Sequence, residues 1–360
     1  MLPTPYPPMT DHITPLHDGE DNNVLNKKPA YPVNPNLRHY LHKNRRKTDM
    51  PCLYKDLRHF AFSVPFIDKD GNDTLWETVF YAESDRTEIH AALTKIYAIL
   101  KAAGDVSVMQ HLSVDRIDYC TFGNSNPFRI KIINNYNDNY DYYYIKTADA
   151  SRIYGLELED LLSPNRINYL VCKDTLVEEH IAGIPGDVFI QRNLADPHFN
   201  ETRLAKEFIK FNERCFVKLL GDMRAYNFVI DITPDFDDTQ YRIRAIDFDQ
   251  QCYEGNKNMY LPHFFKENRP YVQLCMKRIN AQTTRQYQHE ERTLIASRYV
   301  TSKDRIEELF LIMEHDTISM PDKTHQLKHQ LAEHYHNQRF LRCHTMGQIV
   351  KTSLQILLHR

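Results

Sequence analysis

Glycine is scarce in this chain, with 10 residues in 360, while tyrosine is plentiful, with 22. So few glycines predict few loops that depend on glycine's conformational freedom. Long apolar runs are also lacking, since none approaches the roughly 18 residues that a membrane-spanning helix requires. The first residues, MLPTPYPPMTDHITP, contain neither the basic nor the apolar segment of a secretory signal. These absences predict a cytoplasmic protein without a membrane partner.

An excess of charge of one sign is lacking too, because the formal net charge is only −3. A nucleic-acid partner is therefore not expected. The seven cysteines lie singly along the chain, without a CxxC pair, and their number is odd. That distribution argues against a disulfide framework and against a zinc site, and it is typical of reduced thiols in a cytosolic protein.

The chain does contain enough apolar material for packed cores, since 42% of its residues are hydrophobic and 11% are aromatic. A chain of 360 residues exceeds most single cores, so we expect two lobes. Residues 1–50 are rich in Pro, Asn and His, lack helical and strand periodicity, and are predicted to form an extended arm. Residues 51–180 are predicted to form a β-rich N-lobe, in which 51–115 is an additional α/β segment. Residues 181–360 are predicted to form a mostly helical C-lobe.

Periodicity gives the order of the elements. LRHFAFSVPFI and DTLWETVFYA flank a turn and predict a hairpin, and SDRTEIHAALTKIYAILKAAG predicts an amphipathic helix of about 17 residues. Three further strands, the last ending at Lys146, precede the helical pattern ASRIYGLELEDLL and two short strands, NYLVCKD and TLVEEHIAG. Beyond residue 181 the pattern is helical, apart from a hairpin over 227–249 and a break at Pro321. The sequence therefore predicts an α+β fold.

Oxygen-bearing side chains flank the hairpin over 227–249. In GDMRAYNFVI, Asp222 and Asn227 precede the first strand, and in YRIRAIDFDQ, Asp247 and Asp249 follow the second. Because a short hairpin brings its two ends together, Asn227 and Asp247 are expected to lie side by side. Carboxylate and amide oxygens are ligands that Mg²⁺ prefers, so this pattern predicts a magnesium site that holds nucleotide phosphates.

An Asp followed five residues later by Asn, then a hairpin and Asp-Phe, resembles the catalytic and metal loops of the protein-kinase-like superfamily. The stretch GDMRAYN looks most like the small-molecule kinase branch, which includes aminoglycoside and choline phosphotransferases and HipA-like kinases. The resemblance covers about residues 115–280. It implies a bilobal fold with a β-rich N-lobe and a helical C-lobe that carries the catalytic hairpin.

The resemblance also implies a role for each of these residues. Asp222 would orient the acceptor hydroxyl, and Arg224 would neutralise the transferring phosphoryl group. Asn227 and Asp247 would bind Mg²⁺, and Asp249 would support the metal. The implied function is ATP- and Mg²⁺-dependent transfer of the γ-phosphoryl group to a hydroxyl of an unidentified acceptor; the Gly-Asp signature favours a small molecule, and a protein is the alternative.

Other parts that a kinase-like fold requires occur in the expected order. Lys146 ends a strand and would grip ATP, and the next helix offers Glu157, or else Glu159, as its ion-pair partner. The loop FGNSNP, with Gly123 and Ser125, would cover the phosphates.

The hinge is implied by LVEEHIAGIPGD, where backbone groups near Glu179, His180 and Ile181 would bind adenine. Glu178 is interpreted as a solvent-side residue of this hinge, with a ribose contact as the alternative. His180 and His263 are interpreted as structural histidines rather than substrate contacts. The aspartates of the hairpin turn are interpreted as turn formers; they are Asp235, Asp237 and Asp238.

The sequence departs from the family pattern at three places: Leu220 replaces the usual His, the phosphate loop has one Gly, and the metal motif reads Asp-Phe-Asp. Two other functions stay open on this basis. A nucleotide-binding pseudokinase or scaffold would fit the departures. A metal-dependent glycosyltransferase could use Asp247 and Asp249 to hold a nucleotide-sugar, but it would not require Asp222, Asn227 and Lys146 in this order.

Overall fold

The computed structural model of the protein describes residues 28–68, 71–102, 110–122, 125–192, 199–234 and 239–358. The fold is mixed α+β and divides into two compact units. We call Lys27–Ala150 with Ile167–His180 the sheet unit, and Ser151–Arg166 with Ile181–Arg360 the helical unit. Residues 151–166, predicted to belong with 51–180, therefore group with the second half of the chain.

The sheet unit is built on a seven-stranded antiparallel sheet with the order β1-β2-β3-β4-β5-β7-β6. Its strands are β1 (Phe62–Ile67), β2 (Asp73–Phe80), β3 (Leu112–Cys120), β4 (Phe128–Asn134), β5 (Tyr140–Thr147), β6 (Tyr169–Cys172) and β7 (Thr175–Glu179). Its helices are α1 (Pro35–Lys43), α2 (Tyr54–Leu57) and α3 (Glu83–Ala102). The predicted β1–β2 hairpin is confirmed, and the helix after it is 20 residues long.

Strand β5 shows how sequence alternation divides the two faces of this sheet. Tyr143 and Ile145 are fully buried in a core that also contains Leu93 and Ile96 of α3. The Tyr143 hydroxyl donates a hydrogen bond of 2.8 Å to the backbone carbonyl of Leu93. Because successive strand side chains point to opposite faces, Tyr144 lies on the face away from this core. The interpretation of the Tyr run as alternating strand packing is confirmed.

Helix α1 corrects the prediction of an extended arm. Pro35 occupies the first turn, where a missing N–H is tolerated, and the Asn34 side chain accepts a hydrogen bond from the N–H of Leu37 at 2.8 Å. Leu37, Tyr40 and Leu41 are fully buried. The prolines and asparagines that argued for an arm here start a helix instead. Residues 28–34 and 44–50 belong to neither a helix nor a strand, and residues 1–27 lie outside the described residues.

The helical unit contains eight α-helices and a three-stranded sheet of order β10-β9-β8 within its described residues. The helices are α4 (Ala150–Leu162), α5 (Gly186–Arg192), α6 (Glu201–Lys218), α7 (Arg269–Arg278), α8 (Ala281–Thr301), α9 (Lys303–Met313), α10 (Pro321–Tyr335) and α11 (Met346–Leu358). The strands are β8 (Ile184–Pro185), β9 (Phe228–Pro234) and β10 (Thr239–Ala245). The predicted helical second half and its hairpin are confirmed.

Four further observations concern a proline, a hairpin turn, the cysteines and the helices. Pro321 begins α10, whereas the preceding helix α9 already ends at Met313. The hairpin turn that contains Asp235, Asp237 and Asp238 lies outside the described residues. All seven cysteines are buried free thiols. Among the described helices, none has the length and apolar character needed to cross a bilayer.

Candidate functional site

The loop that carries Asp222 begins where α6 ends in the helical unit. Leu219 ends the helix in a left-handed conformation, with φ of 55°, and the buried Leu220 forms a bridge with Gln251. The N–H of Gly221 donates to the Gln250 carbonyl at 3.3 Å, and a Cβ at this glycine would lie only 3.0 Å from that oxygen. The close approach explains why glycine precedes Asp222.

Asp222 itself adopts a left-handed conformation, with φ of 57°, which Asp tolerates better than most residues. Its N–H donates to the Met259 carbonyl at 3.0 Å, and its own carbonyl accepts a bond from the Arg224 N–H at 2.9 Å. The Asn227 side-chain amide donates to the Asp222 carbonyl at 2.8 Å and to the Asp222 Oδ2 at 3.3 Å. Asn227 therefore fixes both the backbone and the carboxylate of Asp222.

The hairpin brings the end of β10 to Asn227, as the sequence predicts. Ala245 pairs with Phe228, and the N–H of Ile246 donates to the Asn227 carbonyl at 3.0 Å. Asp247 follows directly, and its side chain is 34% exposed. The Asn227 side-chain oxygen accepts no hydrogen bond within the described residues. It is therefore available as a metal ligand, close in the fold to Asp247.

A buried arginine that the sequence analysis did not select joins the two acids of the Asp-Phe-Asp motif. The Arg152 side chain of α4 is 2% exposed and donates to Asp249 Oδ1 from Nε at 2.8 Å. Its Nη2 lies 2.9 Å from Asp247 Oδ1 and 2.5 Å from Asp249 Oδ1. Buried arginines are nearly always paired, so an Arg in a helix expected to be buried was the signal that could have revealed this contact.

Arg224 pairs with two carboxylates rather than standing alone. Its Nε donates to Asp222 Oδ1 at 2.8 Å, and its Nη1 donates to Glu267 Oε1 at 2.9 Å. Burial raises the pKa of Asp222 above its ordinary value, and the charges of Asp247 and Glu267 add to that shift, whereas Arg224 opposes it. Glu267 Oε2 is buried and has no hydrogen-bond partner in the described residues. No pattern in the sequence pointed to Glu267, because it follows Arg224 by 43 positions.

In the sheet unit, Lys146 has a partner other than the one predicted. Its Nζ lies 2.5 Å from Glu178 Oε2, and both residues are buried. Lys146 is paired with Leu176 across β5 and β7, so Glu178, two residues farther along, lies on the same face of the sheet. Glu178 is therefore a buried ion-pair partner, and its interpretation as a solvent-side residue is wrong.

The two glutamates of α4 that were predicted to pair with Lys146 have arginine and lysine partners within the helical unit. Glu157 is fully buried and accepts hydrogen bonds from Arg305 Nη2 at 2.8 and 2.7 Å. Glu159 pairs with the buried Lys218. Burial would raise the pKa of Glu159, but the charge and hydrogen bond of Lys218 lower it below its ordinary value. The helical period of α4 placed Glu157 beside the inward face and Glu159 away from it, yet both are buried, and it gave no information about their partners on α6 and α9.

The predicted adenine hinge already uses two of its backbone donors. The N–H of Glu179 donates to the Asn168 carbonyl at 3.0 Å, and the N–H of His180 donates to the Tyr142 carbonyl at 3.3 Å. The His180 ring lies 3.2 Å from the Tyr144 hydroxyl, and burial lowers its pKa below the ordinary value. These bonds support the structural interpretation of His180. Ile181 is buried.

The predicted phosphate loop joins β3 to β4. Gly123 lies outside the described residues, and Ser125 is partly exposed in the turn. The Asn126 side chain connects the end of this loop to its start, since its Nδ2 donates to the carbonyls of Cys120 at 3.0 Å and Thr121 at 3.1 Å. The Tyr54 hydroxyl also donates to the Asn126 carbonyl at 2.9 Å.

The side-chain atoms near Asn227 that could bind a metal ion are all oxygens, and oxygen ligands fit Mg²⁺ better than a softer metal. Within the described residues, no group of three or more His, Cys, Asp or Glu side chains is arranged to hold a metal ion. Asp247 and the Asn227 side-chain oxygen could contribute two ligands, and a nucleotide and water would have to supply the others. Asp249 already receives two bonds from Arg152, so it fits a supporting role.

No known protein-family model matches this chain, and no curated protein sequence is similar to it.

Proposed function

We propose that this chain is an ATP- and Mg²⁺-dependent phosphotransferase with a bilobal protein-kinase-like fold. The observation that carries the proposal is the closed arrangement of Asp222, Asn227 and the end of β10. The Asn227 amide fixes Asp222, and the Asn227 carbonyl accepts the N–H that directly precedes Asp247. The Asp222 carboxylate, a proton acceptor, and the side-chain oxygens of Asn227 and Asp247, which could bind a metal ion, are therefore held by connected loops.

In the proposed reaction, the Asp222 carboxylate accepts the proton of the acceptor hydroxyl. The hydroxyl oxygen then forms a bond to the γ-phosphorus as the bond to the bridging oxygen of ADP breaks. Arg224, which is 31% exposed, is close enough to Asp222 to neutralise charge on the transferring group. Holding the reactants in line would supply most of the rate enhancement.

Mg²⁺, when bound by Asn227 and Asp247, would neutralise charge on the nucleotide phosphates. Lys146 is proposed to bind those phosphates through its ammonium group, which Glu178 orients. The buried Lys146–Glu178 pair supports this assignment because it fixes a long, flexible side chain in one conformation. The acceptor is proposed to be a small molecule, with a protein as the alternative.

A nucleotide-binding scaffold without turnover is a second candidate, and a specific observation favours it. Asp222, Asp247 and Asp249 all form ion pairs with arginines, namely Arg224 and Arg152. Arginine partners can satisfy these acids without any reaction. Both candidates bind ATP with Mg²⁺, but only the phosphotransferase consumes it.

The test combines nucleotide binding with transfer of radiolabel from [γ-³²P]ATP to pooled metabolites and to lysate proteins. We expect Asp222→Asn to keep its ATP affinity while turnover falls at least about 100-fold. Asp247→Ala should abolish Mg²⁺-dependent ATP binding, and Asp231→Asn on β9 serves as the control. ATP binding without consumption by the wild type would favour the scaffold. Stabilisation by a UDP-sugar with Mn²⁺, but not by ATP with Mg²⁺, would favour a glycosyltransferase.

A further inference from the structure

Arg152 occupies a fixed position behind the two acids of the Asp-Phe-Asp motif. Its guanidinium makes contacts with Asp247 and Asp249 at 2.5–2.9 Å, and the Asp249 N–H donates to the same Asp247 oxygen at 3.2 Å. The Asp247 Oδ1 therefore receives hydrogen bonds from a side chain and from the backbone. Both bonds hold this carboxylate in one orientation.

Helix α4 is bonded to and packed against the loop that carries these acids, and this restricts movement of Arg152. The neighbouring Ser151 hydroxyl donates to the Gln251 carbonyl at 2.6 Å. One turn later, a Cβ at Gly155 would lie 3.0 Å from the Phe248 Cβ and 3.1 Å from the Gln251 Cβ. The helix thus packs almost backbone to backbone against residues 248–251. Arg152 is presented to the acids by a rigid element.

The two sides of this ion-pair cluster differ in their access to solvent. The Arg152 side chain is 2% exposed and Asp249 is 11% exposed, whereas Asp247 is 34% exposed. A cation from solvent would therefore approach Asp247 from the side opposite the guanidinium. In these contacts the guanidinium supplies one positive charge to two carboxylates.

We propose that Arg152 sets the divalent-cation affinity of the site by holding Asp247 in position and by opposing a second positive charge. This inference rests on the proposed function, because it takes Asp247 as a ligand of Mg²⁺. A dication at Asp247 is repelled by a guanidinium a few ångströms away, and burial of the guanidinium limits solvent screening of that repulsion. Arg152 therefore keeps cation binding weak.

Arg152→Gln tests this directly in the full chain, with Mn²⁺ as the probe and electron paramagnetic resonance as the measure of free ion. Loss of the positive charge should tighten Mn²⁺ binding at least about tenfold. The metal-free variant should also be less stable, since the buried Asp249 and the partly exposed Asp247 both lose this partner. Saturating Mn²⁺ should consequently raise its Tm more than it raises the Tm of the wild type. A purely structural Arg152 would lower Tm without changing the Mn²⁺ affinity.

Three variants make the result specific. Arg305→Gln breaks an ion pair between a partly exposed arginine and the buried Glu157 of the same helix, and it should lower stability while leaving Mn²⁺ affinity within about twofold of the wild type. Asp247→Asn should abolish Mn²⁺ binding. Arg152→Lys keeps the repelling charge but loses the planar fork that holds Asp247, so it should bind Mn²⁺ about threefold more weakly than the wild type.

The outcomes separate this inference from the proposed function. Unchanged affinity in both Arg152 variants, with loss in Asp247→Asn, would overturn the role of Arg152 and leave the metal site standing. Absence of Mn²⁺ binding in the wild type and in every variant would overturn the metal assignment itself. If Arg152→Gln does not fold, the Arg152→Lys affinity decides, and a value equal to that of the wild type overturns the inference.

Discussion

The Asn227 side-chain amide donates to the backbone carbonyl of Asp222 at 2.8 Å, which makes Asn227 the residue that closes the Asp222 loop. Asp222 has a φ of 57°, a conformation that needs support from surrounding bonds. We expect Asn227→Ala to reduce stability by about 1–2 kcal/mol and phosphoryl transfer by at least about 100-fold. Chemical denaturation and the radiolabel assay measure the two effects.

Asn200→Ala is the matched control for that variant. The Asn200 side chain also hydrogen-bonds to the backbone, in this case as the acceptor from the N–H of Arg203 at 3.1 Å, where it caps α6. Its loss should reduce stability by about 0.5–2 kcal/mol and leave transfer unchanged. Equal activity in the two variants would mean that Asn227 has only a structural role.

The close packing of α4 predicts a large effect from a small substitution. Gly155→Ala would improve helix propensity by about 0.5–1 kcal/mol, but its Cβ would lie 3.0 Å from Phe248. Because Phe248 lies between Asp247 and Asp249, its displacement would move both acids. We expect a net destabilisation of about 1–3 kcal/mol together with weaker Mg²⁺-dependent ATP binding. A variant more stable than the wild type, with normal binding, would contradict the close approach.

The Lys146–Glu178 pair predicts a stability effect that is independent of any nucleotide. Glu178→Gln leaves a buried ammonium without its charged partner, so we expect a loss of about 3–5 kcal/mol in urea unfolding. Asp115→Asn is the control, since Asp115 pairs with Lys131 but is 41% exposed, and it should lose less than about 1 kcal/mol. Similar losses of unfolding free energy in the two variants would show that burial of Lys146 does not increase the contribution of its ion pair to stability.

The lowered pKa of the buried His263 predicts how the stability of the protein depends on pH. Burial lowers its pKa from the ordinary 6.5 to about 4, and the charge of Lys257 adds to the shift. Between these values the unfolded chain binds a proton that the folded chain does not, so stability rises with pH. As pH falls from about 6.5 towards 4, His263 should contribute a loss of up to about 1.4 kcal/mol per pH unit.

His263→Asn should make this slope shallower in urea titrations across the same pH range. His325→Asn, an exposed histidine on α10, should keep the slope of the wild type. The Nδ1 of His263 lies 2.8 Å from Asn212 Oδ1, so the measurement also tests whether this contact keeps the imidazole in its structural role. Identical slopes for both variants would contradict the pKa shift.

Local patterns predicted most of the elements because period and turn signals act over a few residues. The hairpin of β9 and β10 is the clearest case, since its length predicted that its two ends meet, and the N–H of Ile246, directly before Asp247, donates to the Asn227 carbonyl. The prediction failed at α1, where Asn34 and Pro35 were interpreted as signs of an extended arm. Asn34 and Pro35 are also typical of the start of a helix. The helix is favoured over an extended arm because it buries Leu37, Tyr40 and Leu41, and that burial is visible only in the folded structure.

The partners of charged residues could not be predicted for a different reason. Glu178 faces Lys146 because β7 lies next to β5, and this neighbour relation depends on the order of strands in the sheet. Glu157 and Arg305 are separated by 148 positions, and Arg152 and Asp249 by 97. The sequence shows that a buried charge requires a partner, but the chain's path through the fold selects which one.

The burial of every cysteine gives experimenters a practical advantage. Burial raises the pKa of the thiols of Cys52, Cys215, Cys252 and Cys275 to about 12, so these groups are largely protonated and react slowly with maleimides at neutral pH. A cysteine introduced at an exposed position would be modified far faster than they are. Fluorophores or spin labels can therefore be attached to the native protein at chosen positions without first removing its own thiols.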